Sequence, residues 1–127
     1  MSLRLSWLEG EWAVSRLAPG AAVPSWATEP AWFSISRTPE ELTVVGPAHL
    51  VPEGVQSEGP WRMFRVEGTL AFTETGVLSG LSGELAAAGI SVFVISTYDT
   101  DYVLVPADEA DAARSVLRRA GYLWAAP

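Results

Sequence analysis

Residues 90–105 read Ile-Ser-Val-Phe-Val-Ile-Ser-Thr-Tyr-Asp-Thr-Asp-Tyr-Val-Leu-Val, and they decide how the rest of the chain is read. Two apolar, β-branched runs flank a short polar segment. Ile90 to Ile95 has the pattern of a buried strand, and Tyr102 to Val105 that of its hairpin partner. Ser96, Thr97, Asp99, Thr100 and Asp101 fall at the turn between them. A turn needs polar residues, but it does not need two aspartates and three hydroxyls, and that surplus marks a place where a ligand could be held.

Working outward, Trp61 to Glu67 reads as a strand anchored by Trp61, Met63 and Phe64, and Gly68 to Phe72 as a loop. Thr73 to Ala88 reads as a helix, because Leu78, Leu81 and Leu85 recur at spacings of three and four and Gly89 fits the position after its end. Pro106 opens a second helix. Asp108, Glu109 and Asp111 lie in its first turns and Arg114, Arg118 and Arg119 near its end, which complements the helix dipole. Ala110, Ala113, Val116, Leu117 and Ala120 form its apolar stripe, Gly121 stops it, and Tyr122-Leu123-Trp124 is a short final strand. The order from Trp61 is β-α-β-β-α-β, the ferredoxin-like pattern, which predicts an α+β fold with an antiparallel sheet and both helices on one face.

The first half is less regular. Leu3 to Leu8, Glu11 to Leu17, Ala31 to Ser36 and Leu42 to Val45 read as strands, with one helical turn at Val23–Ala27 and a turn at Thr38-Pro39-Glu40-Glu41. The stretch 47–60, rich in Pro, Gly and Glu, reads as a linker with little regular structure. The expected organisation is a first, abbreviated unit with its linker over residues 1–60 and a complete unit over 61–127.

Composition narrows the function. A length of 127 residues with 49% hydrophobic and 18% charged residues supports a real core. A net charge of −7 argues against nucleic acid as a partner, since phosphate neutralisation needs the opposite sign. With no Cys and one His (His49), thiolate zinc sites, cysteine nucleophiles and multi-histidine sites are excluded. The apolar stretch 76–95 contains Glu84 and several glycines and divides at Gly89 into helix and strand, so no membrane span is expected. Nothing near Arg4 looks like a secretion signal, which predicts a cytoplasmic protein.

The segments Phe64-x-Val66-Glu67-Gly68-x-Leu70-x-Phe72, Thr75-Gly76-Val77-Leu78-Ser79-x-Leu81 and Ala88-Gly89-Ile90-Ser91-x-Phe93-x-Ile95-Ser96-Thr97-Tyr98-Asp99-Thr100-Asp101-Tyr102 resemble the ACT-like domains of the CASTOR type. Residues 32–45 resemble the family's shorter first half. The resemblance implies tandem ACT-like units with antiparallel sheets, the first abbreviated, and a regulatory, non-enzymatic role in binding a small molecule, usually an amino acid, at an interface between units. It also implies that a homodimer is the working form. Carried onto this sequence, the ligand contacts are Thr75, Gly76 and Val77 at the start of the helix and Ser96, Thr97, Asp99, Thr100 and Asp101 at the hairpin.

The residue chemistry is compatible with that implication. Amides at a helix start are unpaired donors in a positive field, and glycine allows close approach of a carboxylate. Asp99 and Asp101, two apart, would share one face of an extended strand and attract an ammonium or guanidinium. The competing reading of these residues is turn chemistry alone. Asp99, Asp101 and Glu67 as a Mg²⁺ or Ca²⁺ site do not match the spacing of an EF-hand loop, and no metal or cofactor is expected. Ser79-Gly80-x-Ser82-Gly83 lies within a helix and lacks the lysine of a phosphate loop, as the chain has no Lys. Two alternative functions remain: a small enzyme using Asp99 and Asp101 for acid–base chemistry, and a purely structural partner-binding protein.

Overall fold

A computed structural model of the chain describes residues 3–68 and 76–126. The strands are β1 (Arg4–Trp7), β2 (Trp12–Leu17), β3 (Ser34–Arg37), β4 (Leu42–Pro47), β5 (Gln56–Val66), β6 (Phe93–Ser96), β7 (Asp101–Pro106) and β8 (Leu123–Trp124). The helices are α1 (Val77–Ala87) and α2 (Ala110–Arg119), with 3₁₀ turns at Ser25–Ala27, Ala48–Leu50 and Ala107–Glu109. Backbone contacts divide the chain into a smaller unit, Gly10–Trp61, and a larger one made of the residues up to Glu9 and those from Arg62 onward.

In the smaller unit the strands run in the order β3-β4-β2-β5, all antiparallel. The turn at Thr38–Glu41 forms as expected. The Thr38 amide donates to the Glu41 carbonyl at 2.9 Å, and the Thr38 hydroxyl accepts from the amides of Glu40 and Glu41 at 3.1 Å each. Trp12, Ala13, Ala27, Leu42, Val44 and Val45 are buried.

Residues 47–60, expected as a linker, are more ordered than that. They contain the last residue of β4, a 3₁₀ turn and the start of β5. The glycine and proline that suggest a linker serve a strand irregularity instead. The β2–β5 register slips between Trp12, which faces Trp61, and Val14, which faces Glu58. Gly59 lies in the slip with φ +151°, and a Cβ there would come 3.0 Å from the Trp12 carbonyl oxygen. Pro60, which has no N–H to donate, is tolerated at such a break in the ladder.

The larger unit has the order β6-β7-β5-β1-β8. From β5 to β8 the sequence β-α-β-β-α-β is present as expected. Both helices lie on one face: Leu81 and Leu85 of α1 and Ala113 and Leu117 of α2 share a buried cluster with Leu5, Phe64, Val66, Val103 and Val105. Burying a Leu or Phe side chain in this way contributes roughly 1.5–3 kcal/mol each.

One strand departs from the expectation. Read with the first half, Arg4–Trp7 instead lies between β5 and β8. It is antiparallel to β5 (Leu5 opposite Val66, Trp7 opposite Phe64) and parallel to β8 (Arg4 opposite Leu123, Leu5 opposite Trp124). The sheet of this unit is therefore mixed rather than wholly antiparallel. The physical reason is burial: Leu5 is fully enclosed beneath the helices, a position the larger unit's core supplies.

Helix boundaries also shift. Gly76 has φ +84°, a left-handed conformation that places it outside α1, which starts at Val77; the expected beginning at Thr73 lies outside the described residues. The second helix opens with a 3₁₀ turn over Ala107–Glu109 rather than directly at Pro106. Both helices end in the same way. Gly89 and Gly121 take positive φ, and the amides of Ile90 and Tyr122 reach back 3.0 Å to the carbonyls of Leu85 and Leu117. This is the Schellman closure that glycine permits. Among the described residues, no helix is long and apolar enough to cross a membrane.

Candidate functional site

The β6–β7 turn is built almost entirely from its own hydroxyls. Ser96 and Asp101 are directly opposed in the hairpin register, and the Ser96 hydroxyl donates to Asp101 Oδ1 at 2.6 Å. Within the turn, the Thr97 amide donates to the Thr100 carbonyl at 2.8 Å. The Thr97 hydroxyl donates to that same carbonyl at 3.1 Å and accepts from the Thr100 amide at 3.4 Å. Thr100 is 5% exposed, and its hydroxyl donates to the Val66 carbonyl at 2.7 Å.

That last bond positions the site. Val66 is the final residue of β5, whose continuation leads to α1. The hairpin turn is thereby held beside the end of β5, at the same end of the unit as the start of α1. At that start, no side chain among the described residues caps the helix. Gly76 is exposed, and a Cβ there would meet nothing within 4 Å among the described residues. The Gly76 carbonyl accepts the first helical bond, from Gly80 at 2.9 Å. The amides of Val77 and Leu78 belong to the first turn, where α-helical geometry provides no intrahelical acceptor. Thr75, also expected at the site, lies outside the described residues.

The structure thus brings Gly76, Val77, Ser96, Thr97, Asp99, Thr100 and Asp101 to one end of the larger unit, in unequal states. Thr97 and Thr100 are occupied by the turn, and Thr100 is enclosed. Asp101 is half-buried; one of its oxygens is held by Ser96, and the other has no protein partner among the described residues. Asp99 is exposed within the turn, not in a strand, because β7 starts at Asp101. The two-residue alternation that would align the two carboxylates therefore does not extend to Asp99. Among the described residues, no three His, Cys, Asp or Glu side chains gather as a metal site would require.

Sequence reasoning passed over Tyr98, which is 79% exposed at the tip of this turn. A large aromatic in an otherwise polar turn was the available signal, since such a ring is usually buried. Further along the unit, the Tyr122 hydroxyl lies over Gly80 of α1, where a Cβ would come within 3.0 Å of it. Burial, and secondarily the Glu84 carboxylate, raise the Tyr122 pKa above its ordinary value.

Comparison with known proteins bears on the family and the fold. The family model for the ACT domain matches residues 56–119, and a second model, for an N-terminal domain, matches residues 10–54. The human cytosolic arginine sensor for mTORC1 subunit 1 is 45% identical over 60 residues, a segment covering 46% of this chain and 18% of that protein. The match thus spans less than a fifth of the curated relative. A crystal structure of a protein from Agobacterium tumefaciens is 32% identical, with a TM-score of 0.92, covering 98% of this chain and 93% of that one. The ligand-free regulatory subunit of aspartate kinase from Thermus thermophilus is similar in fold alone: TM-score 0.61 at 10% identity, over 91% of this chain and 96% of that one. With the model match over half its length and a full-length relative at that identity, this chain belongs to the ACT domain family.

Proposed function

We propose that this protein is a non-enzymatic regulatory module that binds an amino acid at the β6–β7 turn and the start of α1, between ACT-like units of a cytoplasmic homodimer. On this reading the chain carries two tandem ACT-like units, within residues 1–60 and 61–127, with β1 completing the sheet of the second. The first-turn amides and Gly76, with Thr75 and Val77, receive the ligand carboxylate. Asp101 receives its cation, while Asp99 lies at the rim. Ser96, Thr97 and Thr100 shape and hold the turn.

The observation that carries the reading is Asp101. Ser96 fixes one of its oxygens at 2.6 Å and leaves the other for a ligand, at the same end of the unit as a helix start that no side chain among the described residues caps. A preset carboxylate loses less freedom when it binds a cation. The names of the mammalian relatives, cytosolic arginine sensors, support an amino acid as the ligand class. An acid–base role for Asp99 and Asp101 has less support, because the two carboxylates do not share a strand face.

The test has two steps. A thermal-shift screen of the twenty amino acids should show a specific rise with at least one, since a ligand at a hundred times its Kd stabilises by about 2.7 kcal/mol. Titration calorimetry with that amino acid should then show Asp101→Ala binding weaker by roughly 2–5 kcal/mol. No response to any amino acid would favour a structural, partner-binding role. Unchanged affinity in a folded Asp101→Ala protein would remove the hairpin from the site.

A further inference from the structure

At the other end of the larger unit, a cleft of about 390 Å³ opens between β1, β5 and the start of α2. The antiparallel register places it there. Val66 and Leu5 lie toward the hairpin turn, whereas Arg62 and the Trp7–Glu9 segment lie at the opposite end of the same strands. Trp7 lines it, and its ring is backed by others: the rings of Trp7 and Trp124 stack at 5.0 Å and 7°, and both meet Phe64 edge-on. The Trp124 indole N–H donates to the Arg114 carbonyl at 3.1 Å, tying these rings to α2.

The charges lining the cleft are of both signs, and none of them is ion-paired among the described residues. Arg62 lies over the Trp7 ring, its guanidinium carbon 5.1 Å from the ring centre, and its Nε is buried without a hydrogen-bond partner. Arg114 is the second cation; Glu9 and Asp111 are the two anions. The one ion pair among the described residues is Arg4–Glu67, elsewhere on the sheet. The Arg62 Nε is sealed from solvent and so from any ligand, but the two Nη groups of Arg62 make no hydrogen bond among the described residues and offer donors to an acceptor in the cleft. The alanines at 110, 125 and 126 leave room for one. The volume falls in the range of small-molecule sites, about 300–1,000 Å³.

We infer that this cleft is a second small-molecule site, distinct from the β6–β7 turn, that takes a zwitterion of the α-amino acid type. A simple anion would be drawn to Arg62 and Arg114 but repelled by Glu9 and Asp111, and a simple cation the reverse. A molecule with a carboxylate and an ammonium a few bonds apart satisfies both pairs. Its carboxylate accepts from Arg62, which the Trp7 ring holds in place, and its ammonium faces Asp111 and Glu9.

Backbone NMR of the full chain, titrated with each of the twenty amino acids, tests this. At least one should produce saturable shifts at the amides of Asp111, Arg114 and Ala125. Arg62→Gln and Asp111→Asn should each weaken that binding about tenfold or more, and so should N-acetylation or carboxamide capping of the amino acid. Shifts at Thr97–Asp101 report on the hairpin site separately and should not follow either variant. Asp111 is exposed on α2, so its variant keeps the test valid should Arg62→Gln unfold the protein. The inference is overturned if no amino acid shifts these amides, if binding survives Asp111→Asn undiminished, or if the N-acetyl derivative binds as well as its parent.

Discussion

The two ends of the larger unit use their polar residues in opposite ways. At the β6–β7 end, hydroxyls are abundant and mostly spent: Thr97 and Thr100 bond within the turn, Thr100 holds Val66, and Ser96 holds Asp101. At the α2 end, hydroxyls are few and the charges make no ion pair among the described residues, with a guanidinium laid on an indole. Density of polar residues in a sequence is therefore a poor measure of binding capacity. What matters is how many donors and acceptors remain after the fold has taken its share.

The comparison predicts an order of effects on stability. Trp7→Ala should be the most damaging. It removes a ring stacked on Trp124 and edge-on to Phe64, and should cost on the order of 3 kcal/mol in urea unfolding. A much smaller loss would mean that the aromatic stack is loosely packed and Arg62 is not fixed by it. Thr100→Val comes next, because it keeps the shape but leaves the buried Val66 carbonyl without its donor. The expected loss is about 1–3 kcal/mol. If stability were unchanged, Thr100 would not be the turn's anchor and its hydroxyl would be available to a ligand.

Asp101→Ala should cost under about 1 kcal/mol of stability, as it breaks one hydrogen bond to an exposed serine. Asp99→Ala should stay within about 0.5 kcal/mol. Reversing that order would put Asp99, not Asp101, at the heart of the turn. The smallest effect concerns Tyr122. Its pKa in the fold lies above the ordinary value of 10.0, so its contribution is fully present below pH 10 and is lost as the pH rises through the folded pKa. Glu84→Gln should soften that alkaline loss, since the neighbouring carboxylate is the second cause of the shift. Alkaline unfolding profiles of the two proteins would show it.

Much of the larger unit was legible because its signals are local. The stripe of Leu81 and Leu85, the Gly89 stop and the apolar run Tyr102–Val105 each lie within a few residues, and each appears in the structure. The position of Arg4–Trp7 was not legible, because pairing with β5 and β8 is set by distant residues and its short apolar pattern fits either half. The cleft was hidden for the same reason: Arg62 meets Trp7 only once Trp7 is known to face Phe64. At the hairpin, residue types pointed to the right neighbourhood but could not separate Thr100, buried and structural, from Asp101, with an oxygen to spare. That distinction depends on which carbonyl lies beneath the turn.

The insertion of β1 between β5 and β8 has a consequence for how the protein is made. The strands Arg4–Trp7 and Leu123–Trp124 lie at opposite ends of the described sequence, so their pairing is a contact of very high order, of the kind that slows folding. On the ribosome, Leu5 and Trp7 are synthesised early. They must wait for β5 before they have a partner on one side, and for Trp124 before they have one on the other. Until both partners have emerged the β1 edge is open to a neighbouring nascent chain, so this short strand is where crowding, heat or a premature stop would first turn folding into aggregation.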